Sequence, residues 1–234
     1  MILVKNDAKK IAYAASIGLD GFSSTEAPKV KKLLDTFDFI SVRESSSLDI
    51  LHDLGVDKVQ HVLDPTLLLD KKKWESIARE DSFIKTEPYL LIYSVETGNI
   101  KILENLARNI ASIYALKIYV VTTDWFRGRI NCDKIFYFST PERFLSLFAN
   151  ADFVVVSSFH GTAFSVNMNK QFISVMPNRF NSRVHDFLSM CNLEERMVSD
   201  EGFNLGGLET IDYLIVNELI DSARKNSLKY LDKE

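Results

Sequence analysis

The side chains best placed for chemistry lie in the run Ser158-Phe159-His160-Gly161-Thr162, which follows a short apolar stretch and opens a helix-forming one. A glycine at such a turn lets a ligand come close to the backbone, and the amides that open the next helix attract an anion. The imidazole of His160 adds a group that gives or takes a proton near neutral pH. Together these suit a phosphate or carboxylate ligand. A plainer reading stands beside it, in which His160 only caps the helix start and Gly161 only relieves crowding.

A second place is Ser41-Val42-Arg43-Glu44. Arg43 can grip a pair of anionic oxygens in bidentate fashion, and Glu44 can orient it or accept a proton. An adjacent arginine and glutamate at a strand end also make an ordinary surface ion pair. A third is Asp64-Pro65-Thr66, where Asp64 can hold a sugar hydroxyl or a neighbouring cation. An aspartate before proline is a common turn starter, and the turn reading is favoured. Arg179 and Arg183 follow a further strand and can line the same crevice as His160 or sit in a solvated loop. Asp124-Trp125 offers an indole on which a sugar can stack, although a lone tryptophan is usually packing. His52, His61 and His185 lack a partner pattern and read as structural.

The elements that must position these residues alternate short β-branched or aromatic runs with longer amphipathic ones, the pattern of an α/β protein with parallel sheets. Strands are expected at 10–16, 39–44 and 59–63, with helices at 28–37, 46–54 and 71–78. Pro28 opens the first helix, the serines 45–47 cap the second, and Gly55 ends it. Residues 81–88 are polar and end in proline, which marks an interdomain connection. A second series follows, with strands at 89–95, 117–122, 135–138, 152–157 and 171–176. Its helices are expected at 99–114, 141–149, 162–169, 183–191 and 211–231. In the first of these Ile102, Leu103, Leu106, Ile110 and Ile113 recur at helical spacing. The domains expected are thus a partial Rossmann-like one over 1–85, a second Rossmann-like one over 86–210, and a terminal helix over 211–234 packing back on the first. Ligands of such sheets bind beyond the carboxyl ends of the strands, which is where the residues above fall.

With 234 residues, of which 46% are hydrophobic, the chain can bury a sizeable core. Its charges, 28 basic against 32 acidic, are interspersed, which argues against a nucleic-acid surface or a polybasic membrane anchor. Cys132 and Cys191 are far apart with no metal-ligand spacing, so neither a disulfide framework nor a metal site is expected. The apolar run after Met1 is too short for a signal peptide, and a reducing, cytoplasmic setting is expected.

Taken in order, several segments resemble the polysaccharide pyruvyl transferase family. They are Ile11 to Ser16, Ile40 to Glu44 with Leu51 through Gly55, Leu63 to Leu68 with Trp74, Ser158 to Ser165, Phe172 to Val175, and Asn181-Ser182-Arg183. The resemblance implies a fold similar to GT-B glycosyltransferases, with two Rossmann-like domains facing a cleft. It implies transfer of the enolpyruvyl unit of phosphoenolpyruvate onto two sugar hydroxyls of a polysaccharide or lipid-linked glycan, giving a pyruvate ketal and phosphate. By matching position, Arg43 would bind the donor's anionic groups and His160 would act as acid or phosphate ligand. Ser158, Phe159, Gly161, Thr162, Glu44, Asp64, Arg179 and Arg183 would line the substrate site. No cofactor beyond the donor and no metal is implied, and the setting would be cytoplasmic or peripheral to the inner face of the membrane. Members usually carry a further amino-terminal stretch before the segment like Lys10 to Ser16, so the first domain is expected to be incomplete, covered by a partner chain or a second copy. A nucleotide-sugar glycosyltransferase and a non-catalytic family member are the alternatives.

Overall fold

The computed structural model describes residues 8–19, 21–83, 85–95, 99–123, 130–176, 181–199, 203 and 205–232. It divides into two compact units, one of residues 1–68 with 221–234 and one of residues 69–220. Both are α/β with parallel strands, as the alternating pattern predicts.

In the first unit three parallel strands, β1 (Ile11–Ala15), β2 (Phe39–Val42) and β3 (Val59–His61), lie in the order β1-β2-β3. Helix α1 (Ala27–Leu34) connects the first pair and α2 (Ser46–Asp53) the second. The core is Ile40, Val42, Leu51 and Val56. Strand β1 is irregular: Ala14 has a φ of 50° in the left-handed region, and the pairing register shifts between Ala12 and Ala15. Ser41 supports this kink, accepting from the Ala14 amide at 3.0 Å and donating to the Ala12 carbonyl at 3.1 Å. Those bonds offset the roughly 1–2 kcal/mol that a non-glycine residue spends in that region. The last part of the terminal helix α8 (Tyr213–Leu231) belongs to this unit. Ser227 there accepts from the Leu63 amide at 2.8 Å, and Tyr230 packs with Tyr13, Ala14 and Val62.

In the second unit six strands are β4 (Tyr89–Ser94), β5 (Lys117–Thr122), β6 (Lys134–Tyr137), β7 (Phe153–Ser157), β8 (Gln171–Val175) and β9 (Met197–Val198). They form one parallel sheet in the order β6-β5-β4-β7-β8-β9. Its helices are α3 (Lys71–Ala78), α4 (Ile100–Tyr114), α5 (Pro141–Asn150), α6 (Phe159–Asn167) and α7 (Asn181–Met190). Both faces of the central strands are covered, which is why Leu90-Leu91-Ile92 and Val154-Val155-Val156 are apolar without alternation and at most 1% exposed. Leu90, Ile92 and Val155 pack on Leu103, Leu106 and Ile110 of α4. On the other face Tyr93 meets Phe144 and Phe148, and Phe148 meets Phe164.

Helix α3 and the residues that follow it lie in this second unit. Trp74 sets its ring edge-on to Phe164 at 5.2 Å, and Asp81 pairs with Arg143 at 2.6 Å. Ile113, although at helical spacing with the core positions of α4, is 63% exposed in the last turn of the helix. No helix among the described residues is long and apolar enough to cross a membrane.

Candidate functional site

Chain order gives the second sheet a crevice. From β4 the chain moves outward to β5 and β6, then crosses to β7 on the opposite side and continues outward to β8 and β9. The switch in direction lies between β4 and β7, and the crevice beyond their carboxyl ends is where open α/β sheets bind ligands. Ser94 and Ser157, the last residues of the two strands, are paired across it.

The run Ser158 to Thr162 opens at this point, but the helix starts three residues earlier than the sequence suggests. Phe159, His160 and Gly161 already form the first turn of α6, because Ser158 has extended backbone and its hydroxyl accepts the Gly161 amide at 3.0 Å. The expected array of unpaired amides is therefore corrected at one position, since the Gly161 N–H is committed to Ser158. A second bond locks the turn: Thr162 donates its hydroxyl to the Ser158 carbonyl at 3.0 Å and shares another hydrogen bond with Ser174 of β8 at 2.8 Å.

Gly161 is required by space. A Cβ there would stand 2.9 Å from Ser158 Oγ, 2.9 Å from Val156 Cγ1 and 3.0 Å from Tyr93 Cδ1. The close packing of α6 on β4 and β7 is what holds the next residues in place. His160 is exposed, and the half-buried Phe159 lies edge-on to it at 5.5 Å and against Phe187 of α7 at 5.9 Å. The result is an imidazole on a rigid turn at the switch point, with its backbone fixed by Ser158 and Thr162. Arg183 is half-buried in α7, while Arg179 and Asp124-Trp125 lie outside the described residues.

The first unit carries a separate polar cluster beyond the ends of its strands. Strand β2 stops at Val42, so Arg43 and Glu44 stand in the turn after it. The guanidinium of Arg43 donates from Nε to Glu44 at 3.2 Å and from Nη1 to Asp64 at 2.5 Å. This is not the surface ion pair of the plainer reading: the Glu44 and Asp64 side chains are only 1% and 2% exposed, and that of Arg43 15%. Glu44 also accepts from Ser16 at 2.7 Å and from Ser47 at 3.4 Å. Ser45, the N-cap residue of α2, makes no side-chain cap, so the capping expected of serines 45–47 is not made. Asp64 does two things at once, accepting the Thr66 amide at 2.9 Å to start a 3-10 turn over Pro65–Leu67 while gripping Arg43. Two buried carboxylates therefore fix the plane of one guanidinium.

Some participants were not visible as candidates. His61, the last residue of β3 and paired with Val42 of β2, approaches the Arg43 carbonyl with Nε2 at 3.2 Å, and nothing in the sequence around it marked that contact. Ser157 and Asn99 stand at the crevice of the second sheet, and the Ser157-Ser158 doublet ending a valine run was the available hint. Among the described residues no group of three His, Cys, Asp or Glu side chains is arranged to hold a metal ion.

A sequence model described as polysaccharide pyruvyl transferase matches residues 1–179. No curated protein matches the chain. Among solved structures it is similar to the UDP-GlcNAc 2-epimerase from Neisseria meningitidis bound to UDP-GlcNAc, at 10% identity and a TM-score of 0.48, over 86% of this chain and 62% of that one. It is also similar to the UDP-N-acetylglucosamine 2-epimerase from Rickettsia bellii, at 14% identity and a TM-score of 0.43, over 95% of this chain and 67% of that one. The wall teichoic acid polymerase TagF follows at 10% identity and a TM-score of 0.40, over 96% of this chain and 60% of that one. The chain thus spans 62% and 60% of the first and third of these structures.

Proposed function

The chain belongs to the polysaccharide pyruvyl transferase family, and from that premise we propose that it moves the enolpyruvyl unit of phosphoenolpyruvate onto two hydroxyls of a sugar in a polysaccharide or its lipid-linked precursor. The methylene carbon of the donor takes up a proton and becomes a methyl group, leaving an oxocarbenium-like centre at the neighbouring carbon. One sugar hydroxyl adds there, phosphate departs with its bridging oxygen, and a second hydroxyl closes the ketal. Of the two hydroxyl protons, one balances the new methyl group and the other leaves with phosphate.

The observation that carries the reading is the exposed His160 on a turn locked at the switch point of a parallel sheet. An imidazole held there is suited to deliver the proton or to bind the departing phosphate, and general acid catalysis by a positioned side chain contributes about 10²–10⁴-fold. Arg43, with its orientation set by Glu44 and Asp64, is assigned to the donor's anionic groups. In this reading Glu44 and Asp64 act through Arg43 as positioning residues.

The test is phosphate release from phosphoenolpyruvate when candidate glycans are added. Release that depends on the glycan, and that falls about 100-fold or more in His160→Ala, supports the assignment. Full activity in His160→Ala removes His160 from the chemistry. Thermal stabilisation by a nucleoside diphosphate but not by phosphoenolpyruvate points instead to a nucleotide-sugar transferase.

A further inference from the structure

Successive side chains of a strand point to opposite faces of the sheet. Val156 lies against the α6 side, where it limits the space at Gly161, whereas Val155 packs with Leu103 and Leu106 of α4. Ser157 therefore projects on the α4 side, at the carboxyl end of β7 and opposite Ser94 of β4. It is fully buried, and its hydroxyl has no hydrogen-bond partner among the described residues. Leaving a buried hydroxyl unsatisfied costs on the order of 1–3 kcal/mol, so its presence at a ligand crevice calls for a partner that is bound from outside.

The second observation comes from α4. A helix that follows a strand runs back along the sheet, so the amino end of this 15-residue helix sits at the same edge. Asn99 is its N-cap residue, a type that ordinarily accepts from the first-turn amides, yet it makes no such cap. Its side-chain amide donates instead to the Met176 carbonyl at 2.6 Å, reaching toward the end of β8 past β7, which lies between them in the sheet. The first turn of α4 contains no acidic residue. The groups gathered here, a hydroxyl and the opening amides of a long helix, are donors.

We propose that the Ser157 hydroxyl and the first amides of α4 form an oxyanion subsite on the α4 side of the β4–β7 crevice, which takes a phosphate group. It differs from the Ser158–His160 turn, which lies on α6, and it requires only that phosphate bind. The pyruvyl-transfer reading enters only in naming phosphoenolpyruvate as the phosphate ester.

The experiment is titration calorimetry of the full chain with inorganic phosphate and, separately, with phosphoenolpyruvate, on the unaltered protein and on Ser157→Ala. Removing an unsatisfied hydroxyl leaves the melting temperature unchanged or raised, so loss of folding does not confuse the result. Ser157→Ala is expected to weaken both ligands about fivefold to tenfold, the loss of one hydrogen bond to an anion. Weakening of phosphoenolpyruvate alone would place the subsite at the carboxylate and overturn the phosphate assignment. Equal affinities in the two proteins, or no phosphate binding to the unaltered one, would overturn the subsite altogether and leave an ordered water as the partner of Ser157. If the unaltered protein binds phosphate through Ser157 but transfers nothing from phosphoenolpyruvate, the proposed function fails and this subsite stands. If Ser157→Ala transfers from phosphoenolpyruvate with rate and affinity both untouched, the subsite fails and the proposed function stands.

Discussion

Gly161→Ala tests whether the turn that presents His160 is held by packing. The new methyl group would stand 2.9 Å from both Ser158 Oγ and Val156 Cγ1 and 3.0 Å from Tyr93 Cδ1, each inside ordinary contact distance. Val156 and Tyr93 are β-strand residues locked between helices, so the relief must come from a shift of α6 or of Ser158. Overpacking of this kind costs about 1–3 kcal/mol. Moving Ser158 also weakens its bond to the Gly161 amide, worth about 1 kcal/mol as a cap. Against this, alanine gains about 1 kcal/mol over glycine in a helix. The net expectation is a loss of about 1–3 kcal/mol, which lowers the melting temperature by about 2–4 °C for each kcal/mol. Urea titration of Gly161→Ala, Ser158→Ala and the double variant reads it out. Because Ser158→Ala removes one of the three contacting atoms, the double variant should be less destabilised than the sum of the singles, by about 0.5 kcal/mol or more. A Gly161→Ala protein as stable as the unaltered one, with strictly additive singles, would refute the packing argument and return Gly161 to the role of a conformational convenience.

Three further outcomes follow from the same structure. Asp64→Ala should destabilise the first unit by about 3–5 kcal/mol, because it leaves a largely buried guanidinium short of a partner and removes a cap, whereas Asp64→Asn should lose less; chemical denaturation separates them. Lys170 is held at about 8 by burial, with the charges of Lys71 and Lys85 adding to the effect. Its folded value lies below the unfolded 10.5, so the unfolded chain binds more protons between them and stability gains with rising pH from about 8 upward. The gain should be visible as a difference between the unaltered protein and Lys170→Met between pH 8 and 9.5. In that comparison the opposing losses from Cys191 and Tyr89, whose burial raises their values, cancel. Cys191, buried and pushed up to about 12, should resist a thiol reagent at pH 8 that modifies the half-buried Cys132; mass spectrometry of the labelled peptides decides it.

Much of this architecture was legible because the local signals agree with the global fold. The runs 117–122 and 71–78 become β5 and α3 with the bounds expected, and the structure adds that the Asp70 side chain caps α3 by accepting the Lys73 amide. The valines before Ser157 announced a strand covered on both faces, and they are fully buried. What the sequence did not reveal depends on distance. Arg43 and Asp64 meet across 21 positions, and nothing local to either predicts that both carboxylates of the cluster would be buried. The early start of α6 was obscured by reading Gly161 as part of a turn open to a ligand, although the Ser158-x-x-Gly161 spacing is that of a capping serine and its N3 amide. Strand β9, two residues long, owes its existence to the neighbouring β8 rather than to its own composition. The separate polar cluster in the first unit and the switch-point crevice in the second could each be guessed as strand ends, but the partners of their side chains came only with the structure.

The most direct test of His160 as the reacting group is the nuclear magnetic resonance signal of its ring during addition of phosphoenolpyruvate. The chain has four histidines, few enough for each imidazole to be assigned by single substitution. The His160 signals should move with saturable dependence on the donor while those of His52 and His185 stay fixed. If the donor saturates the protein and the ring of His160 keeps its free position, the residue does not meet the donor and the assignment of this turn as the reacting site is wrong.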